Sequence, residues 1–277
     1  DRITELGQAF DKNIRDAAVQ VAFTEAELKG VPEGVWKEAK RDAEGRVLLG
    51  LDYPTSQPLL QSASNGAARE RMWRAKQNEG GQPNLTLLAE IAKLRLEYAQ
   101  LFGFKSYADF TLRRRMAENT ANAKRFLDDV RRAVSEREQR EVEELREAKA
   151  RELGTPLAQT RLERWDVSYF SERIKRERYS VDQEALRAYF PPQESRALVM
   201  RIIEKTMGVK YTRLPGVKLW HPDAQAFVAS DVKTGKAMAT LYVDAYPRDG
   251  KYNHAAVWPI RTASTRLKRA PQAALVV

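Results

Sequence analysis

Ala237-Met-Ala-Thr-Leu-Tyr-Val-Asp244, followed by Tyr246-Pro-Arg-Asp-Gly-Lys-Tyr-Asn-His-Ala-Ala-Val-Trp258, is where a helix-patterned chain turns into a sheet-forming one. Met238, Thr240, Tyr242 and Asp244 alternate with Ala239, Leu241 and Val243, the period of a strand, in a run rich in β-formers. Pro247 and Gly250 turn the chain, and Asn253 to Trp258 reads as a second extended run. A helical protein that ends on a small sheet has an obvious place for an exposed edge strand. Such an edge offers unpaired N–H and C=O groups that can capture an extended peptide.

Working outward, Lys210–Arg213 and Ala226–Asp231 also read as strands, with Lys233-Thr-Gly235 as the hairpin turn before Ala237. Everything before Gly208 is helical in pattern, except a short strand over Arg46–Leu51. Helices are expected from Ile3 to about Phe23, over a short segment opened by the capping pattern Thr24-Glu-Ala-Glu27, and over Gln57–Ala63 and Ala67–Gln77. Further helices are expected from an Asn84 cap to Gly103, from a Ser106 cap to Leu112, and over Thr120–Leu153. The last of these carries an apolar stripe of Phe126, Val130, Val134, Val142 and Leu145 and reads as a solvated outer helix. Gly154-Thr-Pro156 is the one persuasive joint, which divides the chain into 1–153 and 154–277. Beyond it Trp165–Phe170 leads into a helix to Tyr179, Asp182 caps another, and Pro191-Pro192 opens a last one. The fold class expected is mainly α with a small antiparallel or mixed β-sheet near the C-terminus.

The composition, 31% charged and 43% apolar over 277 residues, is that of a globular chain with a real core. No apolar run approaches the eighteen or so residues of a membrane helix, and no membrane or signal segment is read. The net charge of +10 invites a nucleic-acid partner, but 48 basic residues are interleaved with 38 acidic ones. Only Arg113–Arg115 and Arg266–Arg269 cluster, without any nucleic-acid-binding motif, so no nucleic-acid partner is expected. Cysteine is absent, which excludes disulfides and thiolate metal sites. Cytoplasm is the default compartment, periplasm the alternative.

Catalytic groups are scarce. There are two histidines, His221 and His254, and no His-Glu-x-x-His pair, so the helical zinc site of that pattern cannot form within these residues. His221, in Trp220-His-Pro-Asp223, reads as a turn residue bonded to backbone. No Ser or Cys nucleophile pattern and no glycine-rich phosphate loop is present.

Trp165-Asp166 with Tyr169-Phe170, then Arg178-Tyr179, Leu186 and Tyr189-Phe-Pro191, resemble the thimet oligopeptidase family, which includes bacterial oligopeptidase A and dipeptidyl carboxypeptidase. The resemblance runs on through Trp220–Asp223 and Tyr242–Ala256 to Ala273–Val277, and upstream through Leu94-Arg95, Ala99–Ala108 and Met116-Ala117. It implies a two-lobed, mostly helical zinc metallopeptidase whose channel admits only short peptides, with zinc as cofactor and a monomer when intact. The family's zinc helix follows the strand matching Ala273–Val277. Residue 1 is Asp, so the expectation is an internal segment of a longer enzyme. The chain by itself is then expected neither to hold zinc tightly nor to cleave peptides, and to leave Ala273–Val277 as a naked strand. A catalytic zinc takes three protein ligands and activates its water; without the metal that water keeps its high pKa.

The resemblance also implies a substrate-binding segment. In the family a His-Ala segment ahead of the zinc helix faces the cleft and pairs with substrate backbone, and Asn253–Trp258 matches it. His254 is then expected to donate to a substrate carbonyl, with Ala255, Ala256 and Val257 supplying main-chain bonds and room for side chains. No catalytic residue and no metal ligand carries over. The alternative is a non-catalytic helical protein that binds peptide, or nucleic acid through its basic surface.

Overall fold

The computed structural model describes residues 1–180, 183–248, 251 and 255–277. These form two compact units, Asp1–Val181 and Asp182–Val277. The fold is mainly α with a small mixed sheet near the C-terminus, as the alternation after Gly208 leads one to expect.

The first unit runs α1 (Arg2–Asp16), β1 (Gln20–Phe23), α2 (Glu33–Trp36), β2 (Val47–Gly50), α3 (Tyr53–Ser62), α4 (Gly66–Gln77), α5 (Gly81–Leu101), α6 (Tyr107–Leu112), α7 (Thr120–Leu153) and α8 (Val167–Tyr179). Its main core gathers the fully buried Phe23, Val47, Leu49, Leu59 and Met72, where the β1–β2 hairpin meets α3 and α4. Side-chain caps start four of these helices: Asp52 accepts from the Thr55 amide, Asn65 from the Ala68 amide, Ser106 from the Asp109 amide and Asn119 from the Asn122 amide. Each satisfies one of the amides that a helix start leaves without an internal partner.

Three local expectations are corrected here. The first helix ends at Asp16, and Gln20–Phe23 is a strand paired with β2. Its signal is the alternation of Val19, Val21 and Phe23, and Phe23 opposite Val47 is completely buried. Thr24 and Glu27 do make half of the capping box, Thr24 donating its amide and hydroxyl to Glu27 Oε2. The segment that follows is nevertheless only turns, closed by bonds from the Glu27, Leu28 and Lys29 amides to the carbonyls three residues back, and Glu27 is also held by Arg71 of α4 at 2.8 Å. Those hydrogen bonds, Arg71 foremost, hold the Glu27 carboxyl at about 2, well below its ordinary 4.5. Asn84 caps nothing: it is buried inside α5, accepts from Asn13 at 2.8 Å and donates to the Phe10 carbonyl at 3.1 Å. It thereby fastens α5 to α1. Gly80 is required beside it, since a Cβ there would come within 2.1 Å of the Asn84 amide nitrogen.

Gly154 ends α7 in the left-handed region (φ 64°), where its N–H reaches the Ala150 carbonyl. The turn lies well inside the first unit, not at its boundary, because the chain beyond it packs straight back. Phe170 and Tyr169 of α8 cluster with Ala148 of α7, and Tyr169 donates to Glu152 at 2.9 Å. Asp166 is buried between Arg69 of α4 at 2.7 Å and Lys149 of α7 at 2.6 Å, and accepts from the Glu163 amide. Burial works to raise its pKa, but the Lys149 and Arg69 hydrogen bonds hold it below the ordinary value. Arg69 also donates to the Ala63 and Ser64 carbonyls and lies 4.1 Å over the Tyr169 ring. A charge taken this far from water persists only when paired and hydrogen-bonded in this way.

The second unit carries α9 (Gln183–Leu186), α10 (Pro192–Met207), β3 (Val209–Leu214), β4 (Gln225–Asp231), β5 (Ala237–Asp244), β6 (Ala256–Arg261) and β7 (Gln272–Val276). Asp182, expected as a cap, lies outside the described residues. The five strands lie in the order β3-β4-β5-β7-β6. The β4–β5 hairpin closes where expected, with Asp231 accepting from the Thr234 amide and hydroxyl and Gly235 at φ 69°. β7 runs parallel to β5 and antiparallel to β6. The expectation of a naked strand at Ala273–Val277 is therefore wrong. β7 is covered on both sides, because the chain passes it, forms β6, and returns into the gap.

Candidate substrate-binding edge

β6 is an outer strand of the sheet, and its residues are mostly exposed. Which of its main-chain groups face outward follows from the bonds of β7. Thr240 donates to the Pro271 carbonyl at 3.0 Å, and Val277 donates to the Asp244 carbonyl at 2.9 Å, at the two ends of the β5–β7 ladder. In a parallel ladder this turns the odd-numbered residues of β7 toward β5 and leaves Gln272, Ala274 and Val276 facing β6. Their partners are Arg261, Trp258 and Ala256. Ala256 and Trp258 thus commit their N–H and C=O groups to β7, and Val257 and Pro259 turn theirs outward. The Val257 amide and carbonyl meet no partner among the described residues.

Arg248 and Lys251, which follow β5, meet at one buried carboxylate. Asp244, 1% exposed at the end of β5, accepts from Arg248 Nη1 and Nη2 at 2.8 and 2.7 Å and from Trp220 Nε1 at 2.8 Å. Lys251 Nζ lies 3.1 Å from its Oδ1 and donates to the carbonyls of Asp244, Tyr246 and Val277. The bidentate Arg248 contact, against the cost of burial and with help from Trp220 and Lys251, holds the Asp244 carboxyl far below the ordinary carboxylate range. The Lys251 side chain, only 5% exposed, ties the end of β5 to the end of β7. Asp244, Arg248 and Lys251 thus give the Asp-x-x-x-Arg-x-x-Lys spacing of the opening stretch its physical meaning.

Of the residues expected at the site, Val257 is 62% exposed with its main chain outward, Ala255 is exposed just ahead of the strand, and Ala256 faces inward. His254 and Asn253 lie outside the described residues. His221 is the turn residue expected: its Nδ1 accepts from the Asp223 amide at 3.3 Å. Trp220 was legible only as part of a motif. Its indole stands 5.8 Å from the Tyr242 ring and donates to Asp244, a long-range pairing with no local signature. Among the described residues no three His, Cys, Asp or Glu side chains gather as metal ligands. No helix among them is long and apolar enough to cross a membrane.

Residues 59–277 match Peptidase family M3. The chain belongs to that family. Oligopeptidase A of Escherichia coli K12 is 33% identical over 265 residues, covering 90% of this chain and 38% of the relative. Saccharolysin of Saccharomyces cerevisiae is 28% identical (89% and 36%), and the thimet-like oligopeptidase of Dictyostelium discoideum 26% (94% and 40%). The resemblance read from Trp165-Asp166 to Val277 is thereby borne out. M3 is a family of zinc-dependent metallopeptidases, hydrolases of the oligopeptidase type. The chain spans about two fifths of the length of the curated relatives it matches.

Proposed function

We propose that this M3 chain is part of a zinc oligopeptidase and supplies channel wall and the strand on which a short peptide is laid out. β6 offers Val257 N–H and C=O to the peptide backbone, and Ala255 stands ready on the same side. The small Ala255 and Ala256 side chains leave room for those of the substrate, and His254 donates to a substrate carbonyl. Main-chain pairing gives affinity without much dependence on sequence, which suits an enzyme that hydrolyses many short peptides. When bound, zinc would supply a water acidified toward neutrality as the nucleophile; the part of these residues is to hold the peptide extended and in register.

The observation that carries this reading is the unpartnered outward main chain of Val257 on an outer strand. The 277-residue chain is expected to bind short peptides without cleaving them, with no change on chelation, and His254→Ala is expected to weaken binding roughly three- to tenfold, the effect of one lost hydrogen bond. Fluorescence anisotropy of a labelled peptide, with and without zinc and chelator, measures both. Stoichiometric zinc with chelator-sensitive turnover, or binding indifferent to His254→Ala, would contradict it. Cytoplasm is the compartment proposed, in keeping with an Arabidopsis relative called a probable cytosolic oligopeptidase A.

A further inference from the structure

Pro259 sits two residues beyond Val257 on the same outward-facing side of β6. Proline has no N–H, and an edge position facing away from the ladder is where a strand tolerates it, since no sheet bond is lost. The register with β7 then slips between Pro259 and Arg261, so that Ile260 is an extra residue and the strand bends there. A free edge therefore exists, but it is short and unsymmetrical. Val257 can both donate and accept; Pro259 can only accept; beyond it the bulge carries the strand out of register.

We propose that Pro259 and the bulge end the peptide-pairing ladder on one side, so that β6 gives a full two-bond pair at Val257, a single bond at Pro259 and none beyond it. This rests on the edge-strand reading above and adds a length limit to it. A peptide entering antiparallel makes a two-bond pair with Val257. Its residue two positions toward its own N-terminus donates to the Pro259 carbonyl and finds no donor in return. Residues further along gain nothing from β6. The occupant is a short extended peptide with a free N–H opposite Val257. A second copy of the chain is a poor alternative, because a proline and a bulge are the devices by which sheet edges avoid pairing with each other.

Two substitutions in the full 277-residue chain separate the possibilities. Val257→Pro removes only an outward N–H and leaves the β7 ladder intact; Pro259→Ala adds an outward N–H. The probes are a fluorescein-labelled tripeptide and hexapeptide of alternating Ala and Val, and a hexapeptide N-methylated at alternate residues. Binding is followed by anisotropy, folding by far-UV circular dichroism and association by sedimentation velocity. Both unmodified peptides should bind the unsubstituted chain, the hexapeptide somewhat more tightly through its one bond to the Pro259 carbonyl. Pro259→Ala should tighten the hexapeptide roughly two- to tenfold, the effect of one hydrogen bond, and leave the tripeptide unchanged. Val257→Pro should weaken both peptides by a similar factor or more, and the N-methylated hexapeptide should bind poorly. Binding by the unsubstituted chain with equal responses of both lengths to Pro259→Ala, or binding untouched by Val257→Pro, would overturn the length limit and leave a peptide site standing. No binding of either peptide, or edge-to-edge dimers in its place, would overturn the edge reading itself and this proposal with it.

Discussion

Asp244 joins residues 220, 248 and 251 through one buried carboxylate, and its protonation should govern how firmly these three side chains are held. A carboxyl whose folded pKa is depressed contributes stability that is complete above its ordinary value, here 3.8, and is lost as pH falls below it, because the unfolded chain then takes the proton more readily. Asp244→Asn leaves Arg248 and Lys251 without their counter-charge and should cost on the order of 3 kcal/mol at neutral pH. The difference from the unsubstituted chain should narrow between about pH 5 and pH 2, where the native carboxylate loses its advantage. Urea unfolding across that range measures it; a gap that stays constant with pH would mean that the loss is one of packing and not of charge. Asp244, Arg248 and Lys251 lie within one stretch of the family resemblance, yet nothing local revealed that they meet each other and Trp220. The same holds for Arg69, which reads as one more surface arginine on α4 and is in fact the buried partner of Asp166, 97 residues away. Local patterns report periodicity and caps; they carry no signal for a partner brought in by tertiary folding.

Among the elements, those with strong periodicity or strong punctuation were legible. β4, β5 and the turn between them, α7 with its Gly154 stop, and α10 between Pro192 and Gly208 lie where alternation, caps and breakers place them. β1 was not, because four residues at the end of a helical pattern were absorbed into it, and Asn84 was read by the local rule for caps when a distant helix claimed its side chain. The apolar stripe on α7 is a different case. Leu145 packs near the buried Ala148, but Phe126, Val130, Val134 and Val142 remain exposed in this chain, at 66%, 42%, 48% and 46%. Val134→Lys is accordingly expected to change stability by less than about 0.5 kcal/mol, whereas Met72→Ala, at a site with no exposure, should cost roughly 2–5 kcal/mol. Thermal unfolding of the two variants side by side tests this. A large loss from Val134→Lys would show that the stripe is covered in solution.

For the molecule as a whole, family membership and a small mixed sheet after a helical body were both readable from the sequence, since both rest on contiguous stretches. The division into units at 181/182 was less so: Gly154-Thr-Pro156 looks like a linker, and only the packing of Phe170 and Asp166 back onto α7 and α4 shows it to be a turn within the first unit. The candidate site was half legible. Ala255 to Val257 were expected at a substrate edge from the family resemblance, and the position of β7 between β5 and β6 decides which of them face outward. Hydrogen exchange at the Val257 amide is the most direct measurement of the central claim. In the free chain that amide should exchange fast, while Trp258, bonded to β7, exchanges slowly; saturating short peptide should slow Val257 at least severalfold and leave Trp258 unchanged. A Val257 amide that exchanges equally fast with peptide bound, or one already protected without it, would contradict the claim that this edge receives the substrate.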